Sequence, residues 1–435
     1  MFSLITRRCK APGVAGLVLF SCMALPVFAQ NNPSDTLRMR LPDMEKRFLD
    51  SNLLLLAAHY NVDAQKALIE QARKWDNPTL NTDQVVAANG RFLPYGKNPD
   101  GSFSGQYYIQ LQQLIRTAGK RGKLIDMAGT NARMGELQLQ DLLRNLRYQL
   151  RSDFYTLQQQ VANRNTYLLQ MQQLKVLMDG MQTQLAAGNI AQKDYLRIQS
   201  LSVSLGQDIA ELDRSIAENQ AEMRTLLQVK SNVYLIPDET APQPSAMPPA
   251  SVPELLETAK QNNPSYLLQQ AMGLYQQQNL SYQKALRVPD IMLGPNFDRN
   301  SNTMPNYFGL GISIPIPVFN RNQGNIRSAQ YSVKQQETLV SHAETELRNQ
   351  LFESYNKWLL ALQQDNTTNK TFYEKYRSMY ANVVDSYRRR QIGLLEFLDF
   401  FNEYTASQQR LLRQRLNEQL AKEAINYYAG TDIIK

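Results

Sequence analysis

Between Leu139 and Leu185 the chain reads LQDLLRNLRYQLRSDFYTLQQQVANRNTYLLQMQQLKVLMDGMQTQL. Leu139, Leu143, Leu146, Leu150, Phe154, Leu157, Val161, Leu168, Met171, Leu174, Met178, Met181 and Leu185 mark one apolar stripe, with Arg164 filling the vacant step. The mean spacing is about 3.5 residues, the period of helices wound against one another. Gln, Asn, Arg and Asp occupy the other faces, and no proline interrupts 123–186. One helix over those 64 residues is roughly 96 Å long at about 1.5 Å per residue. No compact domain needs such a helix.

The flanks explain it. Gly188-Asn189 breaks the helix, and a second helix is expected over 191–228, after an earlier one over 43–74. The two short helices total 70 residues against 64 in the long one. Residues 326–391 form a second long helical stretch of 66, with 254–286 and 395–428 totalling 67. Two short helices stacked end to end thus match one long helix, twice. The halves also align as sequence. Pro42, Asn52 and Pro78 answer to Pro253, Asn263 and Pro289 at an offset of 211. Leu146 and Leu150 answer to Leu347 and Leu351 at 201, and Gly188 and Asp194 to Gly393 and Asp399 at 205. The chain is read as a duplication, a first repeat over 30–230 and a second over 253–435. The Pro-rich 231–252 joins them as a linker or equatorial segment, with a short extended piece at 232–236.

Inside each repeat two strands precede the long helix. Phe308, Leu310, Ile312, Ile314 and Ile316 alternate with Gly309, Gly311, Ser313 and Pro315, a period of two with one greasy face. Strands are expected over about 306–317 and 290–298, and in the first repeat over about 78–88 and 105–116. Turn chemistry in 89–104 and 298–306 connects them. In the second repeat Asn263-Pro264 is expected to break the first helix near its start.

The 435 residues carry a formal charge of +8, with 43% hydrophobic and 20% charged residues. Disordered, collagen-like and disulfide-scaffold classes are excluded. Arg7, Arg8 and Lys10, an apolar run to Ala29 and the Val27-Phe28-Ala29 ending describe a signal peptide over 1–29. Cleavage leaves 406 residues, a charge of +5 and no cysteine. Leu19-Phe20-Ser21-Cys22 also has the outline of a lipoprotein box, so lipidation of Cys22 is the other processing route. Beyond Gln30 no apolar run approaches the ~20 residues of a spanning helix. The positive charge is spread out without interleaved aromatics, which gives nucleic acid no support as a partner.

Four alternating strands cannot close a membrane barrel, whose smallest forms have about eight, whereas twelve from three chains can. This duplicated helix–strand–strand–long helix–helix plan resembles the TolC-type outer-membrane efflux proteins of Gram-negative envelopes over nearly all of the mature chain. The stretch Ile314-Pro-Ile-Pro-Val-Phe-Asn-Arg-Asn-Gln-Gly-Asn-Ile-Arg-Ser-Ala329 is similar to their heavy-metal branch, the Czc- and Cus-like cation exporters. Thr117-Ala-Gly-Lys-Arg-Gly-Lys-Leu124 is a looser counterpart. The resemblance implies a mainly helical homotrimer with a 12-stranded barrel in outer-membrane lipid and a long helical barrel in the periplasm. It implies a passive exit duct, with no chemistry or cofactor of its own. A periplasmic adaptor and an inner-membrane pump of the RND type would deliver metal cations or drugs.

It also assigns residues. The helical tips Gly188-Asn189-Ile190 and Gly393-Leu394-Leu395 would meet the adaptor; as local chemistry, both glycines read as helix C-caps. Asp194 and Asp399 would line the closed end, with Asn402 in place of a second ring acid and Arg390, in the run 388–390, latching onto Asp194. Without the family, both acids are first-turn residues favoured by the helix dipole. Phe308, Leu310, Ile312 and Ile314 would face lipid. His59 and His342 stand alone, with no metal-ligand spacing, and no nucleotide or hydrolase motif occurs. The competing reading is a periplasmic coiled-coil adaptor or scaffold; it accounts for neither the duplication nor the strands.

Overall fold

The computed structural model describes residues 36–88, 90–230, 233–238, 251–300, 304–367 and 370–434. The expected signal peptide and most of the Pro-rich linker lie outside them. Two short helices, α1 (Leu41–Ser51) and α2 (Leu53–Arg73), lead into strand β2 (Thr79–Gln84), after a short first strand β1 (Thr36–Met39). Strand β3 (Tyr107–Ile115) then returns to the long helix α3 (Lys120–Ala186) and its partner α4 (Gln192–Leu226). After β4 (Tyr234–Pro237) the plan repeats: α5 (Val252–Asn262), α6 (Pro264–Ala285), β5 (Ile291–Asn300), β6 (Pro305–Ser313), α7 (Gln323–Thr367), α8 (Lys370–Arg388) and α9 (Leu394–Ala429).

The unbroken α3 has 67 residues, about 100 Å. Helices α1, α2 and α4 hold 11, 21 and 35 residues, together the same number. The expected single helix over 43–74 is in fact broken at Asn52. Its side-chain oxygen accepts from the Leu54 and Leu55 amides, 3.0 and 3.1 Å away, capping α2. Its amide nitrogen donates to the Leu226 carbonyl at 3.0 Å, closing the end of α4. One buried amide thus stacks α2 on α4. Asn263 does the same in the second repeat, accepting from the Tyr266 amide at 3.0 Å and donating to the Tyr428 carbonyl at 2.9 Å. The helix expected over 326–391 is described as two, α7 and α8, and residues 368–369 lie outside the description.

At mid-height β1 pairs in parallel with β4, which places the expected extended piece of the linker at Tyr234–Pro237. Met44, Phe48, Leu150, Phe154, Leu157, Met223 and Leu235 form a closed apolar core there. Beside it Arg151, only 13% exposed, reaches Glu45 at 2.5 Å, Glu423 at 2.8 Å and Asp432 at 2.8 Å. The C-terminal segment is fixed by Asn426, which accepts from the Ile433 and Ile434 amides at 2.9 Å and donates to the Ile434 carbonyl at 2.7 Å.

The four long strands form one antiparallel sheet in the order β6-β5-β3-β2. Strand β6 stops at Ser313, short of the expected 317, because Pro315 and Pro317 have no N–H for a ladder. Strand β2 stops at Gln84, and 87–104 form two two-residue ladders above the sheet.

Candidate functional site

Cross-strand register assigns the faces of the sheet. Leu80 opposes Leu111; Ile109 opposes Phe297, which opposes Phe308; Leu310 opposes Pro295 and Ile312 opposes Leu293. Paired residues share a face, so these side chains make one largely apolar surface, which Thr82, Gln84 and Arg299, the last packed on the Tyr107 ring, join at the Tyr107 end. Phe308 is 75% exposed on it. Ile314 continues it just past the end of β6. Gln113, on the same face, turns its amide to the Asp76 and Leu114 carbonyls at 2.8 and 3.1 Å. From Ile115 to Tyr107 the band is roughly 27 Å along the strand, about 21 Å high at the usual tilt of barrel strands.

The opposite face carries Thr79, Asn81, Asp83, Tyr108, Gln110, Gln112, Asn296, Asp298, Tyr307, Gly309 and Gly311. Among the residues of these four strands, Asp83 and Asp298 are its only charged groups. They lie in one row, since Asp83 opposes Tyr108, Tyr108 opposes Asp298 and Asp298 opposes Tyr307. Asp298 accepts from Gln106 Nε2 at 2.8 Å. At the outer edges of the sheet, β2 and β6 have no partner strand among the described residues.

At the far end α3/α4 and α8/α9 meet as two hairpin tips. The first is a left-handed helix stop. Gly188 has φ 72°, its amide donates to the Leu185 carbonyl and the Asn189 amide to the Gln184 carbonyl, both at 2.9 Å. In the second tip Arg390, not Gly393, takes the left-handed position, with φ 60° and bonds from Arg390 N to Tyr387 O at 2.9 Å and Gln391 N to Ser386 O at 2.8 Å. Gly393 is instead the N-cap of α9 in extended conformation, which corrects its reading as a C-cap. The tips therefore correspond at an offset of 202. On that offset Asp194 corresponds to Glu396, each the acid in the first turn of its helix.

The tips are bound to each other. Arg390 Nη2 donates to Gln184 Oε1 at 2.6 Å and Arg388 lies 3.7 Å from Asp385; within one copy, and among the described residues, no ion pair joins the run 388–390 to Asp194. Behind them Met181, Ile198, Val384, Phe397 and Phe401 form an apolar core. Tyr380 stacks on Tyr404 at 4.1 Å and Tyr387 on Phe397 at 4.9 Å. Burial, together with the nearby Asp194 charge, raises the Tyr387 phenol above its usual range. Leu395, Asp399 and Asn402 lie on one exposed stripe of α9, at i, i+4 and i+7. Glu396 and Glu403, also exposed, add two carboxylates beside Asp399 that the sequence reading missed. Their spacing of i, i+3 and i+7 was the available signal. At the tips Asn189 and Leu395 are exposed, and Ile190 and Leu394 half-buried.

An apolar sheet face with one polar face behind it, carried on a helix about 100 Å long and the shorter helices packed along it, defines a wall segment of a membrane-anchored conduit. The chain belongs to the outer membrane efflux protein family, whose pattern it matches over residues 46–228 and 255–431. Its place is the outer membrane. It is 24% identical over 282 residues to the cobalt-zinc-cadmium resistance protein CzcC of Cupriavidus metallidurans, a match covering 64% of this chain and 63% of that protein. The solved outer-membrane channel OprN superposes with a TM-score of 0.74 at 15% identity, covering 90% of this chain and 89% of OprN. CusC, a transmembrane channel, superposes with a TM-score of 0.69 at 16% identity, covering 92% of this chain and 94% of CusC.

Proposed function

We propose that three copies of this chain form the exit duct of a tripartite efflux system. The observation that carries the reading is the four-stranded sheet, apolar on one face, with both edge strands unpaired among the described residues. Open edges are not tolerated in hydrocarbon, and three sheets joined β6 to β2 make twelve strands with closed symmetry. The repeats 30–230 and 253–435 then form the wall twice per copy. The helical pairs continue the lumen into the periplasm. An adaptor grips the tips at Gly188, Asn189, Ile190, Gly393, Leu394 and Leu395, and an inner-membrane pump of the RND type loads the duct.

The cargo of this reading is metal cations. The resistance named for CzcC supports it, as does a strand face whose only charges are Asp83 and Asp298. At the periplasmic end Asp399 and Asp194 set the aperture, with Asn402 beside them and Arg390 holding the tips together.

After loss of Cys9 and Cys22 the chain has no cysteine, so engineered thiols report cleanly. Asp83→Cys or Asn81→Cys in β2, combined with Tyr307→Cys or Ser313→Cys in β6, should give oxidised trimers in outer-membrane fractions. Monomers throughout, in every combination, would overturn the duct. Deletion should sensitise cells to cobalt, zinc or cadmium; sensitivity to organic toxicants alone would make drugs the cargo.

A further inference from the structure

The boundary between sheet and helices is where the charge of this chain collects. Four segments, 70–76, 116–127, 284–290 and 321–327, contain ten Lys and Arg against four Asp and Glu. Their net charge of +6 exceeds the +5 expected for the mature chain, so the positive excess lies in one belt below the apolar sheet face. Two of the cations are neutralised locally: Arg116 on Asp76 at 2.8 Å and Lys120 on Asp290 at 2.7 Å. Arg73, Lys74, Lys284, Arg287, Arg321 and Arg327 are exposed and form no ion pair among the described residues.

Two aromatic rings in or beside the belt are also uncovered. Trp75 is 63% exposed beneath the Arg121 guanidinium, 4.4 Å from its ring centre, and Phe319 is 91% exposed. Phe319 sits at the edge of a loop built to hold it. Gln323 Nε2 donates to the Phe319 carbonyl at 3.3 Å, and Asn322 Nδ2 donates to the Gln283 carbonyl at 2.8 Å. Arg321 Nε donates to the Pro317 carbonyl at 3.3 Å, and the residue is exposed. Aromatic rings beside unpaired cations at the end of an apolar band suit the level of lipid headgroups.

Closure of the barrel sharpens this. Arg73, Lys74 and Trp75 precede edge strand β2, and Phe319, Arg321 and Arg327 follow edge strand β6. Joining β6 of one copy to β2 of the next brings two basic edges together at each seam. Like charges oppose that approach unless an anion lies between them. We propose that the belt binds the phosphate headgroups of anionic phospholipid in the periplasmic leaflet, with an occupied position at each of the three seams. This rests on the trimeric duct proposed above.

The test uses the full-length protein in mild detergent, supplied with phosphatidylglycerol or phosphatidylcholine, with retained lipid and oligomeric mass read by native mass spectrometry. The trimer should retain phosphatidylglycerol at least about fivefold over phosphatidylcholine, the factor that roughly one cation contributes at an anionic surface. The combined variant Arg73→Gln, Lys74→Gln, Arg321→Gln, Arg327→Gln should lose the preference, and Arg321→Gln alone, in case the combination fails to assemble, should reduce it. Arg389→Gln, an exposed tip cation, should leave it intact. Equal retention of both lipids by an intact trimer, or a preference unchanged in Arg321→Gln and in the combination, would overturn the lipid belt while leaving the duct standing. Displacement by excess inorganic phosphate would make it a free-anion site and overturn it likewise. A chain that never assembles with any lipid overturns the duct itself.

Discussion

Arg151 ties three parts of the chain together at mid-height: α1 through Glu45, α9 through Glu423 and the C-terminal segment through Asp432. Arg151→Gln keeps most of the volume and removes the charge. Glu45 and Glu423 are 20% and 11% exposed and each loses a charge-assisted hydrogen bond, about 1.5–3 kcal/mol apiece. Asp432 is 46% exposed, so its arm adds at most about 1 kcal/mol. Relaxation of the carboxylates recovers part, leaving a loss of about 3–5 kcal/mol, the usual cost of breaking a buried pair from one side. Acid should narrow the gap. In the native protein burial raises Glu423 while Arg151 opposes the rise, and the hydrogen bond from Arg151 lowers Asp432. Without Arg151 both carboxyls rise, so the folded variant takes up protons before the unfolded chain does, and its stability increases as pH falls through that window. Loss of helical circular dichroism on heating, at about pH 7 and about pH 5, measures both effects. A variant as stable as the parent at neutral pH, or a gap that widens in acid, refutes the reasoning.

Arg390→Gly should leave stability near neutral or raise it by about 1 kcal/mol, because glycine relieves a left-handed residue. It also removes the bond to Gln184, so single-channel current should leak more in the closed state. Asp83→Asn with Asp298→Asn should cut cation over anion selectivity in planar bilayers without changing trimer mass, and unchanged reversal potentials would remove these acids from the cargo argument. Gly294→Ala drives a methyl into the Leu111 carbonyl; heat-resistant trimers should decline sharply on gels, and normal yields would show that β3 and β5 are not so close. Asn52→Ala uncaps α2 and orphans the Leu226 carbonyl, for a loss of about 1–3 kcal/mol in thermal unfolding.

Much of the architecture was legible because it is periodic. The proline-free stretch 123–186, with its 3.5-residue stripe from Leu139 to Leu185, foretold α3 to within three residues at its start, and the alternation at Phe308 to Ile312 foretold β6. What failed were points where one residue serves two elements. Asn52 had the offset of 211 to Asn263 on view, yet only Asn263 precedes a proline, so only that break was read. The double role of Asn52, capping α2 and closing α4, depends on a carbonyl 174 residues away. No local pattern reports such a contact.

The two tips carry the sharper lesson. Aligning Gly188 with Gly393 placed Asp399 opposite Asp194 at an offset of 205. Backbone geometry places Arg390 opposite Gly188 and Glu396 opposite Asp194, at 202. Glycine is the expected residue at a left-handed stop, so the sequence reading followed glycine rather than the conformation. Arginine there costs about 1–2 kcal/mol of backbone strain, and its side chain gains the 2.6 Å bond to Gln184 across the hairpins. A glycine could make the turn but could not join the tips. If joining them is what Arg390 does, Arg390→Lys should hold the closed state nearly as well as the parent, while Arg390→Gly and Gln184→Ala should leak alike and the double variant no more than either. Additive leakage would mean that the two side chains act separately, and the strain at 390 would then have no counterpart in closing the duct.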